Sequence, residues 1–161
     1  MRTKTTALLL ATLAIFGATV AIAAAEEVST EAYVAQVEPI CKKNTTEIEK
    51  DLKPVKSDIR KGNLKAAGAA VAKAAKSLQS AYSQLSDVTR PTASEATLTK
   101  WLGYLKTEVS LTNATSKALK AGKKSLASHD ESLLLHNSNL ANAAVFSFHF
   151  HYCRSELSKF I

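Results

Sequence analysis

The chain has 161 residues, with 21 Lys and Arg against 14 Asp and Glu, a formal net charge of +7 and only two cysteines. This length suits a single domain with its own core, and the charge is below the strongly basic character expected of a nucleic-acid-binding domain. Glycine and proline are few and strand patterns are nearly absent, which favours an all-α fold.

The first 25 residues predict an export signal. Arg2 and Lys4 give a positive start, an uncharged run follows from Ala7 to Ile22, and three alanines precede Glu26. This order of basic, apolar and small residues is typical of a signal peptide that is cleaved. The alternative is an uncleaved anchor, although the apolar run of about 16 residues is shorter than the roughly 20 that a bilayer-spanning helix needs.

We expect residues 26–161 to form the exported mature chain, secreted or held in the periplasm or cell envelope. It contains no second apolar run long enough to span a membrane. Removing the two basic residues of the signal leaves 19 Lys and Arg against 14 acidic residues, a net charge of +5. Because export leads to an oxidising compartment, Cys41 and Cys153 are predicted to form a disulfide, with two free thiols as the alternative.

The first predicted helix runs from about Thr30 to Arg60, where apolar residues recur every seven positions. Pro39 and Pro54 lie inside this stretch, and each removes a backbone hydrogen bond, so we expect kinks or one break, most readily near Pro54. Gly62 is the predicted left-handed residue that ends the stretch.

Three further helices are predicted, over about 64–86, 92–120 and 128–152. Thr92-Ala93-Ser94-Glu95 and Ser128-His129-Asp130-Glu131 resemble capping boxes that would start the third and fourth helices. Gly122 is expected to end the third. Short connections between four helices favour an antiparallel, up-down-up-down four-helix bundle, in which the first and last helices lie side by side.

In this bundle the turns after the first and third helices lie at one end, which we call the basic end. Cations suit helix C-termini and a charged cluster is usually a solvated face, but such a surface can also bind an anionic polymer, lipid headgroup or acidic protein. The basic end comprises Arg60, Lys61, Lys65, Lys117, Lys120, Lys123 and Lys124.

The opposite end collects the aromatic residues, and we call it the aromatic end. If the fourth helix reaches Tyr152, Phe146 and Phe150 share one side and Phe148 and Tyr152 another, so one pair should pack in the core. The alternative to core packing is a ligand pocket or partner surface. Its candidate ligand residues are Trp101, Tyr104, Phe146, Phe150, His149 and His151.

No catalytic motif, P-loop or dinucleotide-binding segment is present, so an enzyme is not the favoured interpretation. His149 and Cys153 have metal-ligand spacing on a helix, but a disulfide would remove the thiolate, and no metal or other cofactor is predicted. Exported four-helix bundles include haem proteins, yet the mature chain lacks methionine and a Cys-x-x-Cys-His segment.

The segment Tyr33-Val-Ala-Gln-Val-Glu-Pro-Ile-Cys41, with Cys153 after a late apolar stretch, resembles uncharacterised secreted helical proteins of actinobacteria. That resemblance covers nearly all of the mature chain. It supports pairing of the two cysteines and implies no activity.

Two functions follow as hypotheses. The first is a non-enzymatic exported bundle that binds an unidentified partner, such as an anionic cell-envelope component, through the basic end. The alternative is a carrier of a small ligand or cofactor, metal or haem included, at the aromatic end.

Overall fold

The computed structural model describes residues 27–155, so the predicted export signal lies outside the described residues. Within that range the chain forms helices and no strand, which confirms the all-α prediction. Two 3-10 turns cover Thr92–Ser94 and Phe146–Phe148. The helices are α1 (Thr30–Leu52), α2 (Val55–Arg60), α3 (Leu64–Asp87), α4 (Glu95–Lys120) and α5 (Lys124–Ala144).

Pro54 divides the first predicted helix into α1 and α2, which confirms the expected break. α1 ends at Leu52 and α2 begins at Val55, because proline has no N–H to continue the hydrogen-bond ladder. Pro39 stands inside α1 without ending it. Gly62 and Gly122 adopt positive φ values of 78° and 71° after α2 and α4, as a left-handed helix terminator requires.

α3 and α4 approach closely where the start of α3 meets the end of α4. The Ser116 hydroxyl donates a 2.8 Å hydrogen bond to the carbonyl of Gly68, and the glycine has no side chain to hold the two backbones apart. α4 also packs along α5, where the Asn137 side-chain amide donates to the carbonyl of Tyr104 at 2.9 Å. α4 thus packs against both α3 and α5.

α1 packs on α3 but makes little direct backbone contact with α5. In the half of the bundle that holds Cys41, the segment that follows α5 fills the space between them. Val145, Phe148 and Phe150 are buried there, and they belong to the same core cluster as Tyr33 of α1. A second core cluster, at the other end of α1, joins α1 and α2 to α3, α4 and α5.

Both predicted boundaries of the fourth helix are wrong. α5 begins at Lys124 rather than after Ser128, because the chain returns to helix directly after the Gly122 turn. It ends at Ala144, well before Tyr152, because the chain must leave the helix to reach α1. The start of α4 also differs: Thr92–Ser94 is a 3-10 turn, and the Ser94 side chain makes no capping bond.

Cys41 and Cys153 form the predicted disulfide, with their Cα atoms 5.0 Å apart. Beside it, the Glu38 carboxylate accepts the backbone N–H of His151 at 2.7 Å and that of Tyr152 at 3.0 Å. These hydrogen bonds satisfy the backbone N–H groups of His151 and Tyr152, which belong to no helix or strand. The segment after α5 is therefore attached to α1 by one covalent bond and by charge-assisted hydrogen bonds.

Gly68→Ala is expected to destabilise the protein by roughly 1–3 kcal/mol, because the added Cβ would overpack the α3–α4 contact. That Cβ would lie 2.8 Å from Lys120 Cγ and 2.9 Å from both Lys120 N and Ser116 O, and two of these three atoms are backbone. Gly103→Ala on α4 is the matched control, since its Cβ would meet nothing within 4 Å. It should stabilise by about 0.5–1 kcal/mol through helix propensity. Urea denaturation of both variants checks the pair, and equal effects would contradict the packing argument.

Candidate functional site

An apolar cavity of about 270 Å³ lies among all five helices, in the half of the bundle away from the disulfide. It is larger than the roughly 150 Å³ cavity that suffices to hold benzene in another protein. On α3 it spans Val71 to Leu78, about 10 Å at 1.5 Å per residue. The apolar part of its wall consists of Ile48, Leu52, Val55, Ile59, Val71, Ala74, Leu78, Leu119, Ala127 and Leu134.

The charged residues of the cavity lie toward the basic end. Lys56, Arg60 and Lys124 line this part and are exposed, so their charged groups reach solvent. Half-buried Glu131 lies among them. Burial raises the pKa of Glu131, and the nearby Lys56 ammonium partly offsets that rise. The cavity therefore combines an apolar interior with three cations and one carboxylate at its opening.

The seven residues of the basic end are all exposed. They lie in the last turns of α2 and α4, in the turns that follow, or at the starts of α3 and α5. The close approach of Gly68 to Lys120 joins the two groups. Within residues 27–155 the one ion pair shorter than 4.0 Å joins Arg90 to Glu95, away from this surface. Two of the seven, Arg60 and Lys124, also line the cavity.

The candidate ligand residues of the aromatic end differ in burial and do not line one common pocket. Trp101 and Phe150 are buried with ring centroids 5.4 Å apart, so both pack in the core. Tyr104 is half-buried, whereas Phe146 is 70% exposed. His149 and His151 are exposed on the segment after α5, where His149 adopts a left-handed conformation. The large cavity contacts none of the six.

Glu108 is a buried carboxyl on α4, with 1% of its surface exposed. The Ser138 hydroxyl of α5 donates to its Oε1 atom at 2.5 Å, and Ser138 lies 3.1 Å from the Ser155 hydroxyl. Asn142 exchanges two hydrogen bonds with the Ser155 backbone, of 2.8 and 2.9 Å. Burial raises the pKa of Glu108 to about 7, against hydrogen bonds from Ser138 and Ser155 that lower it. The network holds the end of the described chain on α5.

Glu108 also lines a second, smaller cavity of about 70 Å³ beside the disulfide. Ile48 and Leu78 border both cavities, so the two are neighbours along the bundle. Trp101 lines the smaller one, and its indole N–H has no hydrogen-bond partner among the described residues. Glu108 and Trp101 are the most buried of the residues with polar side-chain atoms that line the smaller cavity, each 1% exposed.

Residues 27–155 contain neither a candidate metal site nor a candidate membrane span. No group of three His, Cys, Asp or Glu side chains there has an arrangement that could hold a metal ion. Over the same range, no helix is both long and apolar enough to cross a bilayer.

Sequence reasoning missed the cavity and the buried carboxyl, although both left a signal. Glu108 is seven residues after Trp101 and seven before Thr115, and all three are buried in one row of α4. A heptad row that includes an acid predicts a buried carboxyl. The signal of the cavity is the run of alanines in α3, because a side chain as short as that of Ala74 leaves space unfilled where it borders the cavity.

Comparison of the chain with protein-family models, curated proteins and solved structures found no significant match. The function is therefore argued from the geometry of the site alone.

Glu108→Gln should remove a pH dependence of the free energy of unfolding. The pKa of Glu108 rises from 4.5 to about 7 on folding. The protonated Glu108 carboxyl therefore contributes its full stabilising effect below pH 4.5. That contribution is lost as pH rises through 7, which lowers the free energy of unfolding by roughly 3 kcal/mol. The glutamine keeps the shape without the ionisation, so the variant should be more stable than wild type at pH 8 and similar at pH 4.5. Urea denaturation at both pH values measures this, and a difference that does not change with pH would contradict it.

Proposed function

We propose that this chain is an exported, non-enzymatic binding protein that takes up a small molecule with an apolar chain in the 270 Å³ cavity. The main observation in favour of this proposal is the cavity itself. Protein cores are normally packed to the density of organic crystals, so a cavity of this size is unusual. This proposal keeps the small-ligand hypothesis but moves the site from the aromatic end to the half of the bundle near the basic end.

The character of the wall supports an apolar ligand. Leucine, isoleucine, valine and alanine side chains from all five helices form most of it, and ligand pockets are typically apolar with a few polar groups that set orientation. Thr112 and Thr115 are the polar residues inside, but their hydroxyls already donate to carbonyls of α4 at 2.7 and 3.0 Å. The interior thus offers contact area rather than hydrogen-bond donors.

Export and the disulfide belong to the same proposal. The predicted signal peptide would carry the chain to a compartment in which the Cys41–Cys153 bond is stable. A soluble carrier of an apolar molecule would be useful there, because such molecules partition poorly into water. Mass spectrometry of protein exported by an expressing bacterium would test this part, with Glu26 as the expected first residue.

Filling the cavity should abolish binding of a neutral apolar dye without unfolding the protein. Ala74→Leu combined with Ala127→Leu places two larger side chains at buried positions of the cavity wall. The exported, oxidised protein is titrated with N-phenylnaphthylamine, whose fluorescence rises in apolar surroundings. Wild type should give saturable binding at one site, and the double variant should bind at least about tenfold more weakly. Its free energy of unfolding should be unchanged or higher, because filling a cavity stabilises.

Two controls separate the cavity from the surface. Ala69→Leu adds the same side chain at an exposed position of α3 and should leave binding unchanged. Leu126, Leu133 and Leu140 form an exposed row on α5, each 40–46% exposed, and offer a competing place for a dye. Replacing these three by glutamine should also leave binding unchanged. Absence of dye binding to wild type, or its loss in the glutamine variant, would contradict the proposed function.

A further inference from the structure

We propose that the ligand of this cavity is a single-chain amphiphile with an anionic headgroup, the chemistry of a free fatty acid, and that Lys56, Arg60 and Lys124 bind the head. This inference rests on the proposed function and adds the ligand class. Its basis is that an apolar interior and a cluster of cations belong to one continuous site.

The size of the interior limits the ligand to one chain. The cavity volume of about 270 Å³ is just below the 300–1,000 Å³ typical of pockets that bind drug-sized ligands. Its length along α3 is about 10 Å, and the stretch of α5 from Lys124 to Leu134 that borders it is about 15 Å long. A narrow site of these dimensions fits one alkyl chain that lies along the bundle axis with its head toward Lys124.

The positive charge at the opening of the cavity favours a ligand with an anionic headgroup. Three cationic side chains border the cavity there and one carboxylate, Glu131, opposes them. The remaining lysines of the basic end lie beyond the opening and add to the positive potential. A negatively charged head would gain attraction from these groups, whereas a quaternary ammonium head would be repelled.

Helix stability accounts for Arg60, which lies in the last turn of α2, but not for Lys124. A basic residue is favourable near the C-terminus of a helix and unfavourable near its N-terminus, by about 0.3–1 kcal/mol. Lys124 is the first residue of α5 and follows Lys123 at the cap, and the first turn of that helix holds no acidic residue. Lys65 is the second residue of α3, whose first turn also lacks an acid. The lysines at these two helix starts therefore go against the helix preference, whereas the basic residues in the last turns of α2 and α4 agree with it.

The test compares decanoate, decanol and decyltrimethylammonium by calorimetry with the exported, oxidised protein, below the micelle concentration of each. The three share one chain length and differ in the charge of the head. Decanoate should bind at least about tenfold more tightly than decanol at low salt, and decyltrimethylammonium more weakly than decanol. The advantage of decanoate should shrink as salt is added, because its head remains near solvent.

A charge-neutralised variant locates the head. Lys56→Gln, Arg60→Gln and Lys124→Gln together should weaken decanoate binding by about tenfold and leave decanol binding unchanged. The matched control removes the same charge from three exposed lysines that do not line the cavity, through Lys43→Gln, Lys73→Gln and Lys106→Gln. This control should bind decanoate like wild type. An equal loss in both variants would overturn the headgroup site, because only net charge would then matter.

The remaining outcomes separate this inference from the proposed function. Equal affinity for decanoate and decanol, with no effect of the neutralised variant, would overturn the anionic head and leave an apolar binding site intact. If none of the three compounds and no dye binds, the proposed function itself fails. If binding appears only in a chain that ends at Ser155, the C-terminal residues 156–161 are the occupant, and the small-molecule proposal is overturned.

Discussion

The return of the chain to α1 is the constraint on which the rest of the structure depends. α1 and α5 make little direct backbone contact, and the Cys41–Cys153 bond brings the segment after α5 across the space between them. Near the disulfide that segment supplies Val145, Phe148 and Phe150, and the cavity there is the smaller one of about 70 Å³. Farther from the disulfide no described segment crosses, and the small side chains of α3 leave the 270 Å³ cavity. One topological feature thus produces both the more closely packed half and the half with the larger cavity.

The Cys41–Cys153 disulfide stabilises the fold by about as much as the cavity destabilises it. A cross-link between residues 112 apart stabilises by about 5 kcal/mol in the chain-entropy description. Space left in a core costs about 24 cal/mol per Å³, or roughly 6 kcal/mol for 270 Å³, and less here because the cavity is partly open. The two quantities are similar, so the cross-link offsets what close packing would otherwise have supplied. A bundle of this size can therefore keep a cavity and remain folded.

Much of the fold follows from local chemistry in the sequence. Heptad spacing, proline at position 54 and glycine at 62 and 122 act within about two helical turns, and the structure confirms the features that they predict. The segment after Ala144 depends instead on tertiary contacts. Its alternating burial, with Phe148 and Phe150 inside and His149 outside, matches a period of two without any strand. Glu38 of α1 replaces the missing strand partner, and no local pattern places an acid there.

The charged residues of the site could be predicted from the sequence, but the cavity could not. Turn positions place the lysines at one end whatever the side chains between them do, whereas a cavity is a difference between the space that helices enclose and the volume that side chains fill. That difference depends on the short approach of α3 to α4 at Gly68 and on how little α1 contacts α5. It becomes visible only when all five helices are in place. Beside a packed core the cations would be a solvated face, whereas beside an apolar cavity they support the proposed binding of a molecule with an anionic head and an apolar chain.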